Sequence, residues 1–344
     1  MRRALFLGLM ALAACVPSRD APSHRSSASV ETPLPPLAAG VSTTTGAPLL
    51  ASSPIVSRGK HVTDSSTAKY SRPENAVDGD PSTSWSAGSP TPNAPASLAI
   101  DVGSGPTRLL LDWSAGGSYN YNETDYGSPG AYRIETSADS TNGKDGSWTL
   151  VADDPAVDTH GAERSFDFAG RRWVRFVVTA APSSSPNGVQ IDGIDVHDVS
   201  AGATDTWFFM GDSITAFAFG NSCPKGKDFA SLIHEKHPRY YPTVINGGIG
   251  GETSQDGVRH IDDWIAKNHD VHFWVVAYGT NDAAGDDTDA AHFKSNLQTI
   301  VRHLKEAGRV PILPLIPYAT DGKHIDIARL NAVIMEIADE NSLP

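Results

Sequence analysis

Residues 206–215 read Thr-Trp-Phe-Phe-Met-Gly-Asp-Ser-Ile-Thr, an apolar run that ends in glycine, aspartate and serine. The first five residues, 206–210, have the length and composition of a buried strand. Downstream, apolar runs typical of strands alternate with stretches of helical spacing. The expected strands are 241–246, 271–278 and 310–316, and the expected helices are 229–237, 258–267, 290–306 and 326–339. Repeated strand–helix units predict a three-layer, doubly wound parallel sheet with helices on both faces.

Three polar blocks follow three of these strands. They are 211–215 (Gly-Asp-Ser-Ile-Thr), 246–253 (Asn-Gly-Gly-Ile-Gly-Gly-Glu-Thr) and 279–282 (Gly-Thr-Asn-Asp). Functional residues of such sheets gather at the carboxyl ends of the strands, so we expect the three blocks to meet at one edge. Each block alone is typical of a surface turn, whereas three in order after successive strands indicate a catalytic site.

Residues 205–344 resemble the SGNH/GDSL family of serine hydrolases, whose domains have a flavodoxin-like fold. The resemblance implies an esterase with Ser213 as nucleophile and with Gly251 and Asn281 as oxyanion donors. Ile214 stands where the family usually has leucine. A serine hydroxyl needs a base to become a strong nucleophile, and attack on an ester places charge on the carbonyl oxygen. No cofactor is expected for this chemistry.

The family carries its base and orienting carboxylate in an Asp-x-x-His block after the last helix and one further strand. Residues 321–324 match that Asp-x-x-His motif, with Asp321 and His324, but they precede the expected last helix. One interpretation is that this chain is truncated before the last strand and the true block. The other interpretation is that His324 is a displaced base supported by Asp321.

Residues 53–199 have a different pattern of apolar and polar residues. Alternating runs at 97–102, 131–136 and 173–178 are separated by turn-forming clusters at 127–130 and 141–143. Little of this region has helical spacing. Alternation with frequent turns predicts an all-β jelly-roll sandwich.

Residues 75–85 (Asn-Ala-Val-Asp-Gly-Asp-Pro-Ser-Thr-Ser-Trp) resemble the opening motif of discoidin and galactose-binding-like domains. Many such domains hold a structural Ca²⁺ in this turn. The resemblance implies oxygen ligands from Asp78, Asp80 and Thr83, with Asp192 as a further acidic ligand. Calcium prefers several oxygen ligands, including carboxylates and carbonyls. A hydrogen-bonded turn without a metal is the alternative.

A sugar-binding site would need an exposed aromatic platform beside polar groups. Trp113, Tyr119, Tyr121 and Tyr126 lie in a segment rich in glycine, asparagine and tyrosine that offers such a platform. The alternative is that these rings belong to the core or rim of the sandwich.

The N-terminus has the pattern of a bacterial lipoprotein signal over residues 1–15. Arginines at positions 2 and 3 precede a short apolar run, and Leu-Ala-Ala-Cys ends at Cys15, the expected lipidation site. The apolar run is too short to cross a bilayer. Residues 16–52, rich in proline, serine, alanine and threonine, predict a disordered linker. Cys223 is the other cysteine of the chain, so the exported protein has no internal disulfide.

The net charge of −13 argues against a nucleic-acid partner. We therefore expect an exported esterase, lipid-anchored to the bacterial envelope, that removes acyl groups such as acetyl from a polysaccharide held by the sandwich. The expected partners are the acylated carbohydrate, a glycan ligand and, through the anchor, the membrane. The alternative is an inactive glycan-binding or adhesion lipoprotein.

Overall fold

A computed structural model describes most of the chain from residue 53 onward. The described residues are 53–66, 71–115, 127–157, 159–182, 188–202, 205–219, 229–237, 240–284, 289–317 and 324–344. The predictions for the signal segment, the linker, Cys15, Cys223, Asp321 and three of the four tyrosine and tryptophan platform residues lie outside these residues. Within the described part, no helix combines the length and the hydropathy that a membrane crossing requires.

The N-terminal domain is the predicted β-sandwich. A five-stranded antiparallel sheet has the order β1-β3-β8-β5-β6, and a three-stranded antiparallel sheet has the order β10-β4-β7. Strands β2 and β9 form a separate antiparallel pair. The strands are β1 (Val62–Asp64), β2 (Trp85–Gly88), β3 (Ala96–Asp101), β4 (Arg108–Ser114), β5 (Ala131–Ser137), β6 (Thr149–Asp154), β7 (Gly161–Asp167), β8 (Trp173–Ala180), β9 (Val189–Ile191) and β10 (Gly193–Asp198).

Trp113 belongs to the core of this sandwich and is not part of a sugar platform. Its side chain is 1% exposed. The ring packs edge-on against Tyr132 at 5.5 Å between centroids and lies 6.1 Å from Phe176. Strand alternation explains the result, because Leu109, Leu111 and Trp113 share the inward face of β4. The alternative interpretation of this tryptophan as a core residue is confirmed.

The C-terminal domain is the predicted parallel sheet. Its strands are β11 (Thr206–Gly211), β12 (Thr243–Gly248), β13 (Phe273–Ala277) and β14 (Val310–Ile312). Their order is β12-β11-β13-β14, which is the flavodoxin-like arrangement. The helices are α1 (Ser213–Phe217), α2 (Phe229–Lys236), α3 (Ser254–Lys267), α4 (Ala290–Glu306) and α5 (His324–Asn341).

Both faces of this sheet are covered, as predicted for a doubly wound fold. One face packs Phe208, Trp274 and the apolar sides of α3, α4 and α5 into a large core. The other face packs Trp207 and Phe209 against Phe229 of α2. The alternation of side chains along β11 therefore serves two cores at once.

The predicted strand 310–316 is wrong in its second half, because pairing with β13 ends at Ile312. Pro314 and Pro317 lack the N–H group that a sheet ladder needs. Beyond Ile312, the side chain of Asn331 makes the main-chain hydrogen bonds that a neighbouring strand would otherwise provide. Its Oδ1 accepts from the Ile316 N–H at 2.8 Å, and its Nδ2 donates to the Ile316 carbonyl at 3.1 Å.

The two domains meet where β4 and β7 of the sandwich lie beside β12 of the parallel sheet. A Cβ on Gly161 of β7 would lie 3.3 Å from Ile245 and 3.5 Å from the main-chain nitrogen of Asn246. Polar contacts extend the seam: the Glu163 N–H donates to Asn268 Oδ1 at 3.2 Å, and Lys267 Nζ donates to the Ala156 carbonyl at 2.7 Å.

Candidate active site

Ser213 is the first residue of α1 and directly follows the turn after β11. Asp212 caps this helix, since its Oδ1 accepts from the Ile214 N–H at 2.9 Å. A Cβ on Gly211 would collide with Thr215 and would lie 2.8 Å from the Ala277 carbonyl. Glycine at 211 therefore lets the helix fold back tightly on the strand ends, and it leaves Ser213 partly exposed.

The carboxyl group of Asp212 is buried beneath this turn. Burial raises the pKa of Asp212 to about 6, the Ile214 N–H opposes the rise, and the negative charge of Asp282 adds to it. The aspartate of the Gly-Asp-Ser block therefore acts mainly on the position of the turn, because its carboxylate points into the protein as a helix cap.

The second block joins the end of β12 to the nucleophile turn. The Ile249 N–H donates to the Gly211 carbonyl at 2.9 Å. Asn246 Oδ1 accepts from the Gly248 N–H at 2.9 Å, and a Cβ on Gly248 would collide with the main chain of Ala216. Strand β12 therefore continues through both glycines, two residues further than the pattern predicts.

Gly251 lies beyond this strand with φ of +83°. Within the described residues, a Cβ at this position would meet no atom within 4 Å beyond its chain neighbours, so crowding does not explain the glycine. The conformation explains the residue instead, because φ in this region is costly for residues with a Cβ.

Asn281 is fixed by the loop that carries Gly251. Its Nδ2 donates to the carbonyl of Glu252 at 2.8 Å. The carboxylate of Glu252 is buried, where its Oε2 accepts from the Tyr278 hydroxyl at 3.0 Å and its Oε1 lies 3.0 Å from His260 Nε2. The ring of His260 stacks on Trp264 with centroids 4.6 Å apart. This network links the second and third blocks.

A second link holds the start of α3 against the third block. Both Asp282 carboxylate oxygens accept from the Ser254 N–H, at 3.2 and 3.1 Å, and Oδ1 also accepts from its hydroxyl at 2.5 Å. Asn296 of α4 donates from Nδ2 to that hydroxyl oxygen at 2.9 Å. The loops bearing Gly251 and Asn281 are thus tied to two helices.

Sequence reasoning missed this supporting network. Glu252 lies inside the second block, and Asp282 inside the third, so their positions were visible. Their partners Tyr278, Ser254 and Asn296 belong to other elements. One part of the network did have a local sequence signal, namely the start of α3. Thr253 and Asp256 form a capping box, and the helix begins four residues before the predicted start.

The base remains a prediction. Asp321 lies outside the described residues, and His324 is the first residue of α5, with its side chain outside the described set. The segment between β14 and α5 follows the carboxyl end of a parallel strand, as the segments bearing Ser213, Gly251 and Asn281 do.

The turn of residues 75–83 brings several oxygen atoms together. Thr83 Oγ1 lies 2.8 Å from Asp78 Oδ2, 3.2 Å from the Asp80 carbonyl and 3.4 Å from the Asn75 carbonyl. One hydroxyl proton serves one of these three acceptors at a time. These oxygen atoms are of the kind that Ca²⁺ prefers, so the residue types present fit the ion; Asp78 Oδ1 accepts from the Asp80 N–H, and Asp80 Oδ1 accepts from Ser82. Asp192 is buried.

The C-terminal domain is thus an α/β domain with a serine at the start of a helix, directly after an inner strand of its parallel sheet. Residues 209–344 match the model of the GDSL-like Lipase/Acylhydrolase family. The chain therefore carries a carboxylic ester hydrolase domain. A comparison with curated proteins found no match.

Solved structures resemble each domain separately. Chitosan-binding module 1 from a chitosanase/glucanase of Paenibacillus sp. IK-5 is 22% identical, with 41% of this chain and 97% of that chain covered and a TM-score of 0.31. A psychrotrophic esterase from Pseudoalteromonas sp. is 19% identical, with 40% and 74% covered and a TM-score of 0.35. An acetyl xylan esterase from Geobacillus stearothermophilus is 19% identical, with 40% and 74% covered and a TM-score of 0.34.

Proposed function

We propose that this protein is a serine esterase that removes acyl groups, acetyl in particular, from a polysaccharide held by its β-sandwich. One observation carries the catalytic part. Ser213 follows the central strand β11, and the loops with Gly251 and Asn281 follow the two strands that flank it, β12 and β13. A nucleophile between two oxyanion donors is the arrangement that ester hydrolysis needs.

In the proposed reaction, Ser213 Oγ attacks the ester carbonyl carbon while a base takes the hydroxyl proton. The carbonyl oxygen becomes an oxyanion, which accepts hydrogen bonds from the Ser213 and Gly251 N–H groups and from Asn281. Since one Nδ2 proton of Asn281 is engaged by the Glu252 carbonyl, the other is directed by that bond and serves the oxyanion. The base returns the proton to the departing alcohol, and water then releases the acid from Ser213.

We assign the base to His324 and the orienting carboxylate to Asp321. Two observations support the assignment: the residues have the Asp-x-x-His spacing, and their segment leaves the sheet after β14 on the side of the nucleophile. His260 has a different position, because its ring stacks on Trp264 of α3 and belongs to the network that holds Glu252.

The polysaccharide part of the proposal rests on the motif of residues 75–85 and on the pairing of the two domains. A module that binds the polymer raises the local concentration of its ester groups around the hydrolase. Asp78, Asp80, Thr83 and Asp192 would hold a structural Ca²⁺ in the sandwich. An anchor at Cys15 would keep the enzyme at the bacterial envelope.

The decisive experiment compares the full chain with Ser213→Ala on p-nitrophenyl acetate and on acetylated xylan. We expect the unmodified chain to release acetate from both and the variant to release it from neither. Sedimentation with the insoluble polymer is measured beside hydrolysis. Binding by both proteins with hydrolysis by neither would favour the inactive glycan-binding alternative, and equal hydrolysis by both would remove Ser213 from the mechanism.

A further inference from the structure

Glu163, His269 and Asp270 gather side chains of metal-ligand type at the seam between the domains. Glu163 lies on β7 of the sandwich, whereas His269 and Asp270 lie in the loop between α3 and β13. That loop precedes β13, so the cluster lies at the amino edge of the parallel sheet. Ser213 lies at the opposite, carboxyl edge, and the cluster is therefore separate from the esterase site.

The side chain of Glu163 is fully buried and only half satisfied. Its Oε1 accepts from the Asp270 N–H at 2.9 Å, whereas its Oε2 is buried and has no hydrogen-bond partner among the residues that the structure describes. Asp270 Oδ2 is also buried and makes no hydrogen bond within the described part of the chain, although His269 Nε2 lies 3.4 Å from it. A buried carboxylate without compensation is costly, so this pair calls for a positive charge.

Two neighbouring cations, Arg164 and Lys267, contact other oxygen atoms, and Arg309 donates to the His269 carbonyl. Arg164 Nη1 donates to the Glu163 carbonyl at 2.7 Å and to the Lys267 carbonyl, and its Nη2 lies 3.7 Å from Asp154. Lys267 Nζ donates to Ala156 and lies 2.7 Å from an Asp263 oxygen. These contacts are with main-chain oxygens and with other carboxylates. None of these contacts is to Glu163 Oε2 or to Asp270 Oδ2, so both oxygen atoms can act as metal ligands.

We propose that Glu163, His269 and Asp270 bind a divalent transition-metal ion, with Zn²⁺ the best suited. One ligand atom from each of the three lies within 4.8 Å of the other two. Zinc bonds of about 2.0–2.2 Å in a tetrahedron place ligand atoms roughly 3.4 Å apart, so small side-chain movements close the site. The ring of His269 is 55% exposed and its Nε2 lies 3.4 Å from Asp270 Oδ2, so the ion would take the place of this contact while water completes the coordination. The metal would join the sandwich to the hydrolase domain.

The test uses tag-free full chain and two probes, Co²⁺ followed by visible absorption and Zn²⁺ followed by calorimetry. We expect saturable binding of one ion and a higher unfolding temperature with Zn²⁺. Glu163→Gln keeps the size of the side chain, and His269→Ala changes a mostly exposed one. Each should weaken binding at least about tenfold, consistent with loss of a ligand, and should abolish the thermal shift.

His61→Ala is the matched control, since His61 is an exposed histidine of the sandwich. It should bind both ions like the unmodified chain. Absence of saturable binding, or binding that persists in His269→Ala, would overturn the proposal, even if Glu163→Gln does not fold. Hydrolysis of p-nitrophenyl acetate is a separate measurement, so failure here leaves the esterase proposal untouched.

Discussion

Asn281 Nδ2 donates a 2.8 Å hydrogen bond to the carbonyl of Glu252, the residue directly after Gly251. The two proposed oxyanion donors outside the nucleophile turn are therefore positioned by each other's loop. A change on one loop is transmitted to the other through this bond. Preorganisation of this kind matters because donors that need no rearrangement stabilise the developing charge most.

Asn281→Ala should lower kcat on p-nitrophenyl acetate by about 10²–10³-fold, since one oxyanion donor is lost. KM should change much less, because the donor acts on charge that develops during reaction. Steady-state kinetics test this, with circular dichroism to confirm the fold. A variant with unchanged kcat would show that Asn281 holds the Glu252 loop without touching the substrate.

Gly251→Ala should reduce kcat while costing only about 1 kcal/mol of stability from strain at φ of +83°. Among the described residues beyond its chain neighbours, no atom lies within 4 Å of the added Cβ, so we attribute any larger effect to the N–H donor or to substrate. Gly308→Ala is the matched control. Gly308 has φ of +73° and equally open surroundings, but it lies at the far end of α4.

Both glycine variants should thus lose similar unfolding free energy in urea, and only Gly251→Ala should lose activity. Equal activity in the two variants would contradict a role for the Gly251 N–H in oxyanion binding.

Asp212→Asn should change the pH dependence of stability. The folded-state pKa is raised to about 6 from 3.8, so the folded protein binds more protons between those values. The contribution of Asp212 to the free energy of unfolding therefore falls as pH rises from about 4 to 6. Above pH 6 this contribution is lower than at pH 4 and below by an amount on the order of 3 kcal/mol. Asparagine cannot ionise and caps helices equally well.

Urea unfolding at pH 4, 5, 6 and 7 measures this effect. The stability of Asp212→Asn relative to the unmodified chain should rise across that range. Asp289→Asn, at the exposed N-cap of α4, serves as the control and should show no such trend. A constant difference for Asp212→Asn would mean that Asp212 is ionised in the folded protein throughout.

His324→Ala should lower kcat by about 10²–10⁴-fold, the usual contribution of a general base. His303→Ala is its control, because His303 lies near the C-terminal end of α4 and faces Asp262. The profile of kcat/KM against pH should lose its acidic limb in His324→Ala alone. Unchanged kinetics in that variant would leave the base to be sought outside residues 321–324.

Removal of Ca²⁺ by a chelator should lower the unfolding temperature of the unmodified chain. Thr83→Val should be insensitive to the chelator, because the hydroxyl at the centre of the oxygen cluster is gone. Differential scanning calorimetry with added Ca²⁺ makes the measurement. Identical responses from both proteins would favour the metal-free, hydrogen-bonded turn.

Local sequence signals gave the fold of the hydrolase domain well. Helix α4 begins and ends at the predicted residues because Asp289 caps its start and Gly308 follows its end. The shortened strand β14 could have been foreseen from Pro314 and Pro317. Its replacement by the side chain of Asn331 could not, because that contact joins residues on different elements.

The same limit applies to the candidate site. Ser213, Gly251 and Asn281 were visible because each ends a strand in a block of recognisable residues. The Glu252 network depends on side-chain directions in three separate elements, which no local pattern specifies. The cluster of Glu163, His269 and Asp270 depends on how the two domains pack, so residues more than a hundred positions apart meet without a shared motif.

Strand β12 is the edge of the four-stranded parallel sheet, and the sandwich strands β4 and β7 lie beside it. Exposed sheet edges are templates for aggregation. The sandwich therefore covers the edge strand of the hydrolase domain, in addition to any role with sugars. Cutting the chain between residues 199 and 205 would uncover that edge, so a hydrolase fragment produced alone should self-associate where the intact chain remains dispersed.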